Sequence, residues 1–178
     1  MWKVVFIILF STFFASNAVV ANAVIQKTFA MIKPSGMSKA NEIKAIINSY
    51  GLKVQKTKKI TMTEKKFDKL YFMHKDKPFF PELKASLLNK EVEVMILQGE
   101  DAVNKYRIAV NDIRGRYAIN KTENAVHGSD TWKRAHEEIC IFFDCSVQKK
   151  AQQQKMEEKS IKTAETSSSN EIKSEPKN

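Results

Sequence analysis

The segment Asn124-Ala125-Val126-His127-Gly128-Ser129-Asp130 holds the residues of this sequence best suited to chemistry. A neutral imidazole is a competent nucleophile toward a phosphoryl group, and transfer through it splits an exchange between two bulky partners into two simpler steps. The sequence predicts a loop at His127, directly ahead of a helix capped by Ser129 or Asp130, where free backbone N–H groups and a positive dipole end favour phosphate. A single histidine before a helix is more often a capping or packing residue than a catalyst, so the segment alone does not decide. His74 and His136 stand in no such surroundings. No glycine-rich phosphate loop of the P-loop kind occurs in the sequence, so a bound phosphate would rest on side chains.

The elements that must position these residues can be read from periodicity and turn chemistry. A strand is expected at 27–33, stopped by Pro34-Ser35-Gly36. Ser38 is the expected N-cap of a helix over 39–50, whose Ile43, Ile46, Ile47 and Tyr50 fall at helical spacing before Gly51. Residues 52–62 alternate apolar and basic side chains as a half-exposed strand does. Thr63-Glu64 then opens a helix carrying Phe67, Leu70 and Tyr71. A further helix is expected over 79–88. Residues 91–98 (EVEVMILQ) form the strongest strand, apolar enough for a central position and ended by Gly99. A helix over 101–110, a short strand at 116–120 and a helix over 130–143 complete the order β, α, β, α, α, β, α, β, α. That order indicates an α/β (α+β) sandwich of the ferredoxin-like, split βαβ kind, a four-stranded antiparallel sheet covered by helices.

Both ends lie outside this domain, which is assigned to 24–147. Residues 1–23 combine Lys3, an apolar run over 4–15 and Ala21-Asn22-Ala23, the pattern of an export signal cleaved after Ala23. A periplasmic or secreted protein is expected, with a membrane-anchored or cytoplasmic one as the alternative. Residues 148–178 are rich in Gln, Lys, Glu, Ser and Thr and contain no aromatic residue, as expected of a solvated tail; 148–162 could form a transient helix. The formal charge is +10, and setting aside Lys3 and the tail, where seven Lys face five Glu, leaves +7 on the middle domain. This suits anionic ligands: nucleotides, nucleic acid or acidic membrane surfaces. Cys140 and Cys145 fit no zinc or CxxC pattern, and Cys140, inside the apolar run 139–143, is expected to be a small core residue rather than half of a disulfide.

Several landmarks in order resemble the nucleoside diphosphate kinase family over 27–143. Thr28-Phe29-Ala30-Met31-Ile32-Lys33-Pro34-Ser35-Gly36 is similar to the family's strand ending in K-P-D-G. Tyr71 followed by Lys75-Asp76-Lys77-Pro78-Phe79-Phe80 resembles its Y-x-x-x-K-D-x-P-F-F. Arg107, Ile113-Arg114-Gly115, the intact N-x-x-H-G-S-D of 124–130 and Glu138 follow. The resemblance implies that His127 is the phosphorylated nucleophile, with Tyr71 near it and Glu138 and Ser129 orienting the ring. It implies that Lys33, Arg107 and Arg114 hold phosphates, that Asn124 and Lys33 bind the sugar hydroxyls, and that Phe79 stacks on the base with Leu83 beside it. Mg²⁺ would arrive with the substrate, ATP or another nucleoside di- or triphosphate, with Asp130 reaching it through water.

Three departures from the family pattern stand out. Arg107 and Arg114 are only seven positions apart, where the family has a long loop with a threonine phosphate ligand that also contributes to trimer contacts. No threonine stands in 108–112, so a homodimer is expected rather than a hexamer. Ser35 replaces the usual aspartate, and Lys121 an apolar residue beside the base. The alternative reading is a catalytically weakened, exported module that binds nucleotide or nucleic acid.

Overall fold

The computed structural model describes residues 24–145. The expected export signal 1–23 and the tail 148–178, with its helix at 148–162, lie outside the described residues. Strand β1 (Ile25–Ile32) leads through a 3₁₀ turn (Pro34–Lys39) to helix α1 (Ala40–Ser49) and strand β2 (Lys53–Thr61). Helices α2 (Glu64–Tyr71) and α3 (Phe80–Leu87) are joined by a 3₁₀ turn at Phe72–His74 and precede strand β3 (Glu91–Glu100). Helix α4 (Ala102–Tyr117), strand β4 (Val126–Gly128) and helix α5 (Trp132–Phe142) follow. The expected order of elements holds, and the four strands form one antiparallel sheet in the order β2-β3-β1-β4.

Strand alternation explains why β1 and β3 are central. Phe29 and Met31 of β1 and Val92, Val94 and Ile96 of β3 enter one core with Phe67, Leu70, Leu87, Ile139 and Phe142 from α2, α3 and α5. Ala30, Ile32, Met95 and Leu97 enter a second core with Ile43, Ile47, Tyr106 and Ile113 from α1 and α4. Each central strand is thus apolar on both faces, as a strand covered by helices on both sides must be. At the edge, β2 carries Lys53, Lys56, Lys58 and Lys59 and a bulge between Val54 and Lys56, features that discourage edge-to-edge pairing.

Six local expectations are corrected. The strand expected at 116–120 is absent, because α4 runs on to Tyr117. Ile113 extends the helical spacing of Tyr106, Ala109 and Val110 into the core, and the Tyr117 hydroxyl donates to Glu42 of α1 at 2.8 Å. The fourth strand is Val126–Gly128 instead, so His127 lies in a strand rather than a loop. Helix α5 starts at Trp132 and is capped by Thr131, whose Oγ1 accepts from the Arg134 N–H at 3.2 Å; Ser129, which donates to Glu138, and Asp130, which pairs with Arg107, both lie ahead of the cap position. Ser38 lies within the 3₁₀ turn, and the residue before α1 is Lys39, which provides no side-chain cap. Strand β3 passes Gly99 and ends where Asp101 turns left-handed, with φ of 48°. Cys140 and Cys145 are joined by a disulfide, with a Cα–Cα distance of 5.3 Å. Extended backbone at Phe143 takes the chain out of α5 and brings Cys145 beside the last turn, which a five-residue spacing does not reveal.

Candidate active site

Strand β4 is short because its task is to hold one segment against β1: Met31 faces His127 and Ile32 faces Val126 in the ladder. The Lys33 N–H extends the pairing, donating to the Ala125 carbonyl at 2.8 Å. Ala125 sits at φ of 63°, a left-handed conformation that costs a non-glycine residue about 1–2 kcal/mol. Its neighbours hold it there: its N–H donates to Ser35 Oγ at 3.3 Å, and Gly36 packs so closely that a Cβ would lie 2.6 Å from the Ala125 carbonyl oxygen. Ser35, where the family pattern has aspartate, therefore supports the approach to His127. Gly128 is likewise required, since a Cβ would meet the Tyr106 ring at 2.7 Å.

The His127 ring is fixed from several sides. Its Nε2 lies 3.1 Å from Glu138 Oε2, and Ser129 Oγ donates to the same oxygen at 2.5 Å. Arg134, one turn before Glu138 on α5, donates to Glu138 Oε1 at 3.0 Å. Burial pushes the Glu138 carboxyl up, but its hydrogen bonds to His127 and Ser129 and the charge of Arg134 together outweigh it and hold the carboxyl below its ordinary value. Phe29 and Tyr71 pack on the imidazole, with ring centroids at 5.9 and 5.4 Å. Burial and the Glu138 charge push the Tyr71 phenol up, so it remains protonated, and its hydroxyl is buried without a protein partner.

Cationic groups gather at the same end of the sheet. Lys33 is 4% exposed and its Nζ donates to the Thr122 carbonyl at 3.1 Å and to Asn124 Oδ1 at 2.7 Å. Burial and the neighbouring charge of Arg114 pull its pKa down to about 7. Arg114 donates through Nη2 to the Val126 carbonyl at 3.0 Å, while its Nε is buried without a partner. Arg107 pairs with Asp130. The seven-residue spacing of Arg107 and Arg114 falls within the continuous helix α4, and two helical turns place both side chains on one face. The helix thus aligns two arginines in a sequence that lacks the long loop.

Phe79 is reached from His127 along a row of rings: Tyr71 to His74 at 6.1 Å and His74 to Phe79 at 5.7 Å. Phe79 remains 43% exposed just before α3, whereas Leu83 is buried in the core with Phe67 and Tyr71. Lys121 is exposed, and its carbonyl accepts from Asn124 Nδ2 at 2.9 Å. Two contributors were absent from the sequence reading. Arg134 could have been found from its i, i+4 spacing to Glu138. Thr122 carries no such signal, because Glu82 and Lys33, the partners that tie it to the site, lie 40 and 89 residues away. Among the described residues, no group of three or more His, Cys, Asp or Glu could hold a metal ion. The donor set offered beside the cationic cluster is one exposed carboxylate, Asp130, which suits an ion carried largely by phosphate oxygens rather than a protein cage.

The model of the family described as nucleoside diphosphate kinase matches residues 26–147. A nucleoside diphosphate kinase of Wolbachia pipientis subsp. Culex pipiens (strain wPip) is 40% identical over 138 residues, covering 69% of this chain and 98% of the relative. One from Saccharolobus islandicus (strain L.S.2.15 / Lassen #1) is 36% identical over 135 residues, again covering 69% and 98%. The crystal structure of the Aquifex aeolicus nucleoside diphosphate kinase superposes with a TM-score of 0.61 at 28% identity, covering 68% of this chain and 97% of that one. With its fold and these relatives in agreement, this chain belongs to the nucleoside diphosphate kinase family.

Proposed function

We propose that this nucleoside diphosphate kinase carries the terminal phosphate of a nucleoside triphosphate to a nucleoside diphosphate through a phosphohistidine at His127. The observation that carries this reading is the Ser129–Glu138–His127 chain set beside two buried donors without protein partners, the Tyr71 hydroxyl and Arg114 Nε. Glu138 accepts from Nε2–H, which leaves the lone pair of Nδ1 for attack on the terminal phosphorus. The bond from that phosphorus to the bridging oxygen breaks and the diphosphate departs with the electron pair. In the second half, a terminal oxygen of the acceptor diphosphate attacks the same phosphorus, and the P–N bond breaks. Lys33, Arg107 and Arg114 hold phosphate oxygens and offset charge in both transition states, where positioning and electrostatics supply most of the catalysis. Asn124 and Lys33 bind the sugar hydroxyls, and Phe79 stacks on the base, a contact that tolerates any base. Mg²⁺, brought by the nucleotide and approached by Asp130 through water, would neutralise phosphate charge when bound.

The test is incubation with radiolabelled ATP, followed by a search for acid-labile, base-stable label. Label on the wild type, lost in His127→Ala and retained in His74→Ala and His136→Ala, supports the assignment. Nucleotide binding without label in the wild type would instead assign the weakened binding module.

We also propose export with cleavage after Ala23, for which the disulfide of Cys140 and Cys145 speaks, since such bonds persist in oxidising compartments. The short connection within α4 favours a dimer over a hexamer. Recovery of the exported protein with Val24 first, and a dimer mass by light scattering at several concentrations, are the expected results; retained residues 1–23 or a stable hexamer would overturn them.

A further inference from the structure

Thr122 joins the two ends of the site although no transfer chemistry falls to it. It is a buried residue of the segment between α4 and β4, and its carbonyl seats Lys33. Its hydroxyl lies 2.5 Å from Glu82 Oε1 and 2.9 Å from Asn120 Oδ1, with one proton to give. Asn120 Oδ1 already accepts from the Thr122 and Glu123 N–H groups, at 2.9 and 2.7 Å. The proton therefore goes to the carboxylate, the closer and charged acceptor. Glu82 stands in the first turn of α3, three residues after Phe79. Asn124, two residues after Thr122, holds the other acceptor of Lys33. Among the described residues, this is the one side-chain hydrogen bond between α3 and the segment 118–124.

We propose that Glu82 and Thr122 form a clasp that sets the spacing between the base-stacking end of α3 and the sugar-binding segment, making both of them positioning residues for the nucleoside part of any di- or triphosphate substrate. The inference rests on the reading of Phe79, Lys33 and Asn124 as nucleoside-binding. Without the clasp, the segment must be ordered by the substrate itself, which lowers affinity for donor and acceptor alike. Interactions made equally in the ground state and the transition state appear in KM rather than kcat. The nucleophile, supported by Ser129, Glu138 and Arg134 on the other side of the site, is unaffected.

Two donors separate these effects. ATP needs the nucleoside subsite, whereas phosphoramidate, which has neither base nor sugar, phosphorylates a reactive histidine directly and releases ammonia. Thr122→Val, which keeps shape and carbonyl, and Glu82→Ala should each raise KM for ATP and for the acceptor diphosphate about tenfold, with kcat nearly unchanged. The double variant should be no worse than either single one. Glu82→Gln and Thr122→Ser, which keep an acceptor and a donor, should stay near the wild type, and phosphoramidate labelling should be normal throughout. Unchanged KM, additive losses or slowed phosphoramidate labelling would overturn the clasp. Should Thr122→Val fail to fold, the contrast between Glu82→Ala and Glu82→Gln at the protein surface decides. A wild type that phosphoramidate leaves unlabelled would overturn the reading of His127, and the clasp with it; normal labelling with unchanged KM overturns the clasp alone.

Discussion

The proposed phosphate end and the proposed nucleoside end of the site are built differently. His127, Ser129 and Glu138 lie within twelve residues of chain on a strand and the helix that follows, and the Glu138 carboxylate collects hydrogen bonds from His127, Ser129 and Arg134. The nucleoside end is assembled from β1, the start of α3 and an irregular segment, with partners up to 91 residues apart, and Phe79 remains open to solvent. Local construction suits a nucleophile that must hold one orientation. Assembly from distant pieces suits the proposed stacking surface, which would take several bases and let them go.

The largest break in that contrast should come from Glu138→Gln. It leaves a side chain of similar shape but can present an amide N–H to Nε2, reversing the tautomer that frees Nδ1. Loss of such an orienting partner typically costs tenfold to a hundredfold in activity, and about a hundredfold lower kcat is expected with little change in KM. Stopped-flow measurement of single-turnover phosphorylation checks it, and a KM effect alone would erase the distinction between the two ends.

A smaller effect, on the opposite parameter, is expected at the nucleoside end. Phe79→Ala should weaken nucleotide binding by about 1–3 kcal/mol, the usual worth of a stacked base. The loss should be similar for purines and pyrimidines when kcat/KM is compared across four diphosphates. A loss confined to one base would mean that the stacking surface selects rather than tolerates.

The smallest effect concerns Lys33, which belongs to both ends. With its pKa lowered to about 7 by burial and by Arg114, it is largely neutral in the free protein at pH 8 and takes up a proton when an anionic phosphate stabilises its charge. The bound state then holds more protons than the free one, so affinity should fall as pH rises above about 7. Calorimetry at pH 8 in buffers of different ionisation enthalpy should show a fraction of a proton taken up per nucleotide, diminishing toward pH 6. Lys33→Arg should abolish the uptake; proton release at pH 8 would contradict the lowered pKa.

Most of the fold was legible because its signals are periodic and local: 2-residue alternation in β2, the apolar run of β3, 3.6-residue spacing in α1 and α2, and turn residues between them. The same holds for His127, Ser129 and Glu138, whose motif is nearly continuous. The misplacement of the fourth strand at 116–120 shows where such signals stop. Arg116 to Tyr117 satisfies helix and strand patterns alike, and burial of Ile113 together with the Tyr117–Glu42 bond decides for the helix. Val126–Gly128 is too short to announce itself; it is a strand only because β1 offers it an edge. The disulfide, the Glu82–Thr122 bond and the lowered pKa of Lys33 depend on groups that meet only after the chain has folded. By itself, the sequence determined which residue types were available for phosphate chemistry and which elements would carry them. The tertiary structure alone decided how closely they meet, because hydrogen bonds and desolvation act over a few ångströms in space, whatever the separation along the chain.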